Sequence, residues 1–314
     1  MTAGAVVVNF NGGADLSVCL AALRAQTVPV EVVLVDCAST DGTGALAERP
    51  PDGVHGLPLA ENLGYAGGCA AGLSHLDRSV EVIGFFNPDC FPAPEFFAVC
   101  VEVLAQEPDV GGVAGRLLRP GGATLDSCGQ VLTPFLLRVR DRGYGAAPAG
   151  AFETRARVLS ACGAAMVYRR SALGAAAVEG EVFPGDFFAF WEDLDLGWRV
   201  NNAGWRVIYE PRALATHRRG ATATPGTGRL IFRRTPDLAA GIVANRWATL
   251  LRNLHPVDFL LRLPVLLPGE VMMLVVLILR QRRVLPALRQ ALPRVCRAAR
   301  QRHLLPRRRL GELV

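Results

Sequence analysis

The chain has 314 residues, 51% of them hydrophobic, with 34 basic and 28 acidic residues and a net charge of +6. Every basic residue is arginine, which excludes a Walker-type phosphate loop with its lysine and any lysine Schiff-base chemistry. Eleven arginines and no acidic residue lie between Arg280 and Arg309, leaving 23 basic against 28 acidic residues elsewhere, so the basic character belongs to the tail.

The length suits one α/β domain plus an appendage. The eight cysteines form no Cys-x-x-Cys pair and no zinc-like spacing with histidine. They read as small buried residues of a reducing cytoplasm. The N-terminal apolar run is short and has no basic region before it, so it reads as a first strand and not as a signal peptide.

In chain order, Ala5–Phe10 ("AVVVNF") is a buried strand by its β-branched run. Asn11, Gly12 and Gly13 turn the chain, and "ADLSVCLAALRAQT" has apolar residues at helical spacing. Val30–Asp36 ("VEVVLVD") is a second buried strand ending in a carboxylate, followed by helix-capping chemistry at Ser39, Thr40 or Asp41. A third strand region precedes "ENLGYAGG" (Glu61–Gly68). Glu81–Asn87 is a further strand, ended by Pro88, and "PEFFAVCVEVLAQEP" is a helix with proline at its start. "DVGGVAG" and "RVLSACGAAMVYRR" read as later strands. The Gly- and Pro-rich segment Pro120–Phe152 lacks periodicity and is expected to be a long loop region near the site. "WEDLDL" opens a helix, with Phe10, Trp198 and Trp205 expected in the core. Strands alternating with helices predict a mostly parallel sheet with ligands at its carboxyl edge.

Four signals fall at predicted strand ends or in adjoining loops: Asp36, Asp89 in "NPDC", Asp193 in "WEDLDL" and His217 in "ATHRRG", with Asn62 near by. Three carboxylates, Glu192, Asp193 and Asp195, stand within four positions beside Phe187, Phe188, Phe190 and Trp191. Carboxylates against apolar surface are costly unless paired, metal-bound or used. Acids in a first helical turn also complement the helix dipole, and Asp195 stands four residues before Arg199, an ordinary helical ion pair.

The motifs "VVVNFNGG", "VDCASTDGT", "ENLGYAGGCAAGL", "FFNPDC", "GAAMVYRRSAL" and "FFAFWEDLDLGWRVNNAGWRVIYEPRALATHRRG", in that order from Ala5 to Gly220, resemble family 2 of the inverting nucleotide-sugar glycosyltransferases, in its rhamnosyltransferase-like subgroup. The resemblance implies a GT-A (Rossmann-like) α/β fold over residues 1–228; 229–314, matched only in general character, is expected from its composition to be a helical, membrane-associating tail. It implies a nucleotide-binding set of Asn9, Asn11, Asp36, Asn62, Gly64, Gly67 and Asn87, with Asp36 accepting from the base imide. It implies a Mn²⁺ or Mg²⁺ ion at Asp89 and His217. The family's Asp-x-Asp-like element is here Asn87-Pro88-Asp89, one carboxylate short, and an Asx turn is the alternative reading of that tripeptide. It implies Asp193 as general base, with Glu192 as the other candidate, and Trp191 and Phe190 as acceptor or sugar contacts. A raised carboxylate pKa would match such a base to neutral pH. Turn geometry for the glycines and a surface position for His217 remain open.

Beyond Arg229 the chain turns apolar, but Pro264, Pro268 and Glu270 interrupt it, and its longest unbroken apolar stretch, Val271–Leu279, is nine residues. A spanning helix needs roughly 20. The Arg-rich segment interleaves Leu, Val and Ala with no aromatic residue, which disfavours nucleic acid; with Leu and Arg expected on opposite faces, it suits a helix lying in an anionic membrane interface. Taken with the tail's membrane reading, the resemblance implies an enzyme at the cytoplasmic face of the plasma membrane, using a dTDP- or UDP-sugar and a polyprenyl-linked glycan acceptor. An inactive membrane-bound scaffold and a sugar nucleotidyltransferase are the alternatives. The latter would want basic residues after the first strand, where "NFNGGADL" has none.

Overall fold

The computed structural model describes residues 1–219 and 230–313. The expected boundary at 228–229, and Gly220 at the end of the last motif, lie outside the described residues. Seven elements lead into the sheet: β1 (Ala3–Asn9), α1 (Gly13–Arg24), β2 (Val30–Asp36), α2 (Ala45–Glu48), β3 (Val54–Pro58), α3 (Gly64–His75) and β4 (Val82–Phe86). There follow β5 (Cys90–Pro92), α4 (Phe96–Gln106), β6 (Val110–Leu118), β7 (Leu125–Ser127), β8 (Gln130–Leu132), β9 (Val139–Asp141), β10 (Ala156–Arg157), β11 (Ala165–Arg169) and α5 (Arg170–Ala176). The last elements are α6 (Glu192–Asn202), β12 (Arg206–His217), α7 (Pro236–Asn253), α8 (Pro256–Arg280), α9 (Val284–Gln301) and α10 (Leu310–Leu313).

The main sheet runs β10-β12-β6-β11-β4-β1-β2-β3, with β5 on β12 and β7 on β6. β3, β2, β1 and β4 are mutually parallel. β11 is antiparallel to both β4 and β6, and β12 is parallel to β6. Two reversals cancel, so β12 points the same way as β1, β2 and β4. The ends of those four strands and the start of β11 therefore share one edge of the sheet. The central strands are buried along their whole length, and helices cover both faces with separate apolar clusters.

Several expectations are corrected. The segment Pro120–Phe152 is not a bare loop: it holds β7 and an antiparallel β8–β9 hairpin, which sequence periodicity misses because each strand has only three residues. Ser39, Thr40 and Asp41 do not cap a helix; α2 starts later, after Gly44, with no side-chain cap. "RVLSACGAAMVYRR" is a strand only over β11 and the end of β10. Phe10 is 49% exposed, whereas Trp198 is fully buried.

The tail is helical and docked. α7 begins at Thr235, whose hydroxyl accepts from the Leu238 N–H, with Pro236 in the first turn. Its Leu250, with Leu266 of α8 and Leu310 and Leu313 of α10, forms a cluster with Leu194 and Trp198 on the back of α6. Pro264 and Pro268 do not break α8, which runs unbroken for 25 residues. Each proline removes one internal hydrogen bond, and the flanking turns hold the helix together. Its apolar window has a mean hydropathy of 2.0, so α8 is long and apolar enough to cross a membrane. Its polar residues face the protein: Glu270 takes Arg246 and the Trp247 indole N–H, and Asp258 takes the Leu310 N–H. Leu260, Leu261, Met272 and Leu279 point outward, each at least 64% exposed. α9 turns Val284, Ala287, Ala291 and Ala298 inward. Leu285 and Leu292 share its exposed stripe with Arg289, Cys296 and Arg300, so Leu and Arg are mixed on the outer face and not opposed. All eight cysteines are free: six are buried, Cys162 is half-buried and Cys296 is exposed.

Candidate active site

β1 and β2 end in register, Asn9 opposite Asp36. The Asn9 amide donates to Asp36 Oδ1 at 2.6 Å, and Ser39 donates to the same carboxylate through its hydroxyl (2.6 Å) and backbone N–H (3.0 Å). Asn11, at φ 55°, accepts from the Thr40 N–H through its side-chain oxygen at 2.7 Å. Asp41 accepts from Thr43 and from the Gly13 N–H. The two loops are thus tied by the residues expected to meet the nucleotide. Asp36 has a structural task here whatever else it contacts. Asn62 accepts from the Gly64 N–H at 2.9 Å. Gly64, at φ +70°, passes so close to Phe188 that a Cβ would lie 2.1 Å from its carbonyl oxygen, and a Cβ on Gly67 would meet Leu63. Both glycines are therefore required by protein contacts.

Asn87 and Asp89 lie in the turn after β4, closed by the Cys90 N–H donating to the Asn87 carbonyl at 3.2 Å. The pairing of β5 with β12 sets His217 opposite Cys90, which brings His217 Nε2 to 3.4 Å from Asp89 Oδ1. On its other side, Nδ1 lies 2.7 Å from Asp126 Oδ2. Asp126 is fully buried, and its second oxygen accepts from Arg219 Nε. Arg219 Nη2 donates to Asp141 at 2.5 Å. Burial alone would lower the imidazolium pKa of His217, but Asp126 and Asp89 outweigh it and push it up to about 9.

The donor set fits a hard divalent cation. Asp126 fixes one ring nitrogen and leaves Nε2 beside the Asp89 carboxylate, so a cation there would displace the Nε2 proton and find a histidine oriented by the carboxylate behind it. Among the described residues no group of three His, Cys, Asp or Glu could hold a metal ion, so the remaining ligands would be diphosphate oxygens and water, the usual habit of Mg²⁺.

Asp193 stands in the first turn of α6. Its Oδ2 accepts from the Gly163 N–H and from Gln130 Nε2, both at 2.8 Å. The Gly163 carbonyl in turn accepts from the Tyr65 hydroxyl. The next residue, Ala164, accepts through its carbonyl from the Asn87 N–H at 3.1 Å. Asp193 and the Asn87–Asp89 turn are therefore fastened to adjacent residues at the start of β11. Burial raises the Asp193 pKa above the usual carboxylate range; the Gly163, Leu194 and Gln130 donors oppose this, and the Asp141 charge adds to it. Glu192 is buried deeper, with Oε2 lacking a hydrogen-bond partner. Burial, then the Asp193 and Asp195 charges, push its pKa well up. Asp195 is structural, as expected: fully buried, it takes Arg199 at 2.8 Å, Arg252 at 2.9 Å and Asn253 at 2.8 Å. These partners hold its carboxyl below its ordinary pKa against the opposing effect of burial.

Phe190 and Trp191 precede this turn with φ of 70° and 75°. Consecutive non-glycine residues in the left-handed region are strained, and such strain collects at functional sites. Arg234 lies 5.6 Å over the Phe190 ring and Arg246 lies 5.3 Å over the Trp191 ring, so one face of each ring is covered from within the protein. Phe188, 46% exposed, is the more open aromatic surface. Asp126, Gln130, Tyr65 and Gly163 were not singled out in the sequence. "ENLGYAGG" carried Tyr65 and "GAAMVYRRSAL" opens on Gly163, but nothing local marked Asp126 or Gln130.

A mostly parallel sheet whose carboxyl edge gathers the tied β1 and β2 loops, an Asp/His pair and a buried carboxylate has the architecture of a GT-A glycosyltransferase. The glycosyl transferase family 2 profile matches residues 5–175, more than half of the sequence. The chain belongs to that family. It is 29% identical over 238 residues to the N-acetylglucosaminyl-diphospho-decaprenol L-rhamnosyltransferase of Mycobacterium tuberculosis, covering 68% of this chain and 74% of that protein. Among solved structures, TarS of S. aureus in complex with UDP aligns with a TM-score of 0.54 at 16% identity, over 80% of this chain and 66% of that one. The mannosyltransferase PcManGT of Pyrobaculum calidifontis, in complex with GDP-Man and Mn²⁺, aligns with a TM-score of 0.54 at 23% identity, over 94% and 75%. At those identities the two structures speak for the fold alone.

Proposed function

We propose that this glycosyltransferase moves a sugar, with inversion, from a nucleotide diphosphate donor to a hydroxyl of a lipid-linked glycan precursor. The Mycobacterium tuberculosis relative, named for L-rhamnose transfer to a decaprenol-linked N-acetylglucosamine, supports rhamnose as the sugar and a polyprenyl diphosphate as the carrier. dTDP-rhamnose is the donor we infer, with a UDP-sugar as the second choice.

The observation that carries the reading is the Gly163–Ala164 step. Gly163 holds the Asp193 carboxylate, and Ala164 holds the turn that bears Asp89. A base and a diphosphate-binding group thus flank one short stretch of backbone. Asp193 takes the proton of the acceptor hydroxyl as its oxygen attacks the anomeric carbon. Its raised pKa suits that work near neutral pH. Gln130 and Gly163 orient its Oδ2. Asp89 and His217 would hold Mn²⁺ or Mg²⁺, the metal supplying charge stabilisation to the departing diphosphate; Mn²⁺ accompanies the donor in the PcManGT complex. Asn9, Asn11, Asp36, Asn62, Gly64, Gly67 and Asn87 line the donor side in this reading, and Phe190 and Trp191 the acceptor side.

The outward apolar face of α8, with the exposed arginines of α9, seats the tail on the cytoplasmic leaflet. The protein-facing Asp258 and Glu270 favour a helix lying along the membrane over one crossing it. Asp193→Asn is the test. It should lower kcat at least a thousandfold while dTDP with Mn²⁺ still raises the thermal midpoint. Wild-type turnover in that variant would remove Asp193 from the mechanism.

A further inference from the structure

The carbonyls of Ala189 and Phe190, in the strained stretch that leads into Glu192 and Asp193, both accept from one side chain outside the sheet domain. Asn245 Nδ2 of α7 reaches them at 3.2 Å and 2.9 Å. Asn245 is completely buried. Its Oδ1 accepts from Arg294 Nη1 of α9 at 2.8 Å, so both ends of the amide are engaged and its orientation is fixed. The next residue, Arg246, covers the Trp191 ring and donates to the carbonyls of Leu136 and Leu137 and to Glu270. One heptad on, Arg252 and Asn253 grip Asp195. Seven residues are two helical turns, so Asn245 and Arg252 share one face of α7, as do Arg246 and Asn253. α7 thus holds the base-bearing segment twice, at its left-handed entry and one turn into α6.

We propose that Asn245 is a positioning residue for the reaction, and that the tail helix α7 is part of the catalytic apparatus as well as of a membrane anchor. Two left-handed residues in succession persist only where surroundings over-determine them. The Asn245 amide supplies that determination by satisfying the two carbonyls that the turn leaves unpaired. Released, the Phe190–Trp191 pair relaxes, the first turn of α6 shifts, and Asp193 loses its alignment on Gly163 and Gln130. A misplacement of about 1 Å in a reacting group costs on the order of a hundredfold in rate.

The proposal rests on the reading of Asp193 as the base. Its test uses the full chain with dTDP-rhamnose and an N-acetylglucosaminyl diphosphate lipid as substrates. Asn245→Ala should lower kcat at least tenfold, with KM for the donor and the thermal-shift affinity for dTDP with Mn²⁺ within twofold of wild type. Asn245→Asp keeps the shape but presents no N–H, and should be as slow. Asn245→Ser retains a hydroxyl donor and should recover part of the rate. A kcat within twofold of wild type for the alanine variant overturns the proposal. So does a serine variant no faster than alanine, or a fall in dTDP affinity that matches the fall in kcat. Asp193→Asn separates the two readings: normal turnover in that variant removes the base assignment and the positioning route through it, whereas a dead Asp193→Asn beside an Asn245→Ala within twofold of wild type overturns the positioning role alone.

Discussion

Glu192 and Asp195 are both acidic, both buried and three residues apart, yet their surroundings drive them in opposite directions. Asp195 has two guanidinium groups and stays ionised. Glu192 has an unpartnered oxygen and two like charges, so the folded protein favours its neutral form. A carboxyl whose pKa is higher folded than unfolded stabilises fully below its unfolded pKa, about 4.3 for Glu. That stability is lost as pH rises through the folded value. The wild-type thermal midpoint should therefore decline as pH rises from about 4.3 towards the folded value, and Glu192→Gln should make the decline shallower. A variant with the same slope as wild type would show that Glu192 finds a partner. At this scale the sequence marked Asp36, Asp89 and His217, and the structure gathers them at one edge of the sheet because each lies at or just beyond the end of a buried strand. The sequence was silent on Asp126, which meets His217 across 91 residues and follows a Gly/Pro-rich stretch with no period to mark it.

Among the elements, α6 serves both the candidate site and the core. Its first turn carries Asp193 to the edge of the sheet, while Asp195 one half-turn on is buried under α7. Removing one partner of a buried ion cluster leaves a charge without compensation, at a cost of about 3–5 kcal/mol. Arg252→Met should lower the unfolding free energy by that amount in denaturant titration. A loss below about 1 kcal/mol would mean that Arg199 and Asn253 suffice for Asp195. The start of α6 was legible from its acidic residues. The continuity of α8 was not, because two internal prolines are a local signal to stop, and only its packing against α7, α10 and the hairpin side reveals that the helix continues. The polar residues of α7 were equally opaque: Asn245, Arg246, Arg252 and Asn253 look like a solvated face until their partners on α6 and its lead-in are known.

For the whole molecule, the sheet and its helices bury most of their apolar residues, whereas the tail buries one side and leaves the outer face of α8 uncovered. Leu260, Leu261, Met272 and Leu279 form an outward apolar face on a helix whose other side is fastened to the protein. Contiguous exposed apolar surface of this kind marks an interaction site. Replacing Leu261 and Leu279 together by Ser should reduce co-sedimentation with vesicles containing anionic lipid by at least fivefold, with dTDP binding unchanged. Undiminished sedimentation would shift the burden to the arginines of α9. The mostly parallel character of the sheet followed from the alternation of strand and helix signals; the order of its strands, with antiparallel β11 between β6 and β4, did not. The seating of the tail against α6 did not, since it depends on contacts between residues more than fifty positions apart.

The cysteine inventory gives the molecule a built-in reporter. Seven thiols are shielded in whole or in part, while Cys296 stands among Arg289, Leu292 and Arg300 on the outer stripe of α9. A maleimide spin label or environment-sensitive dye added to the unaltered chain would collect at that one position, where paramagnetic quenchers held at known bilayer depths could measure how deeply the helix sits without a single mutation.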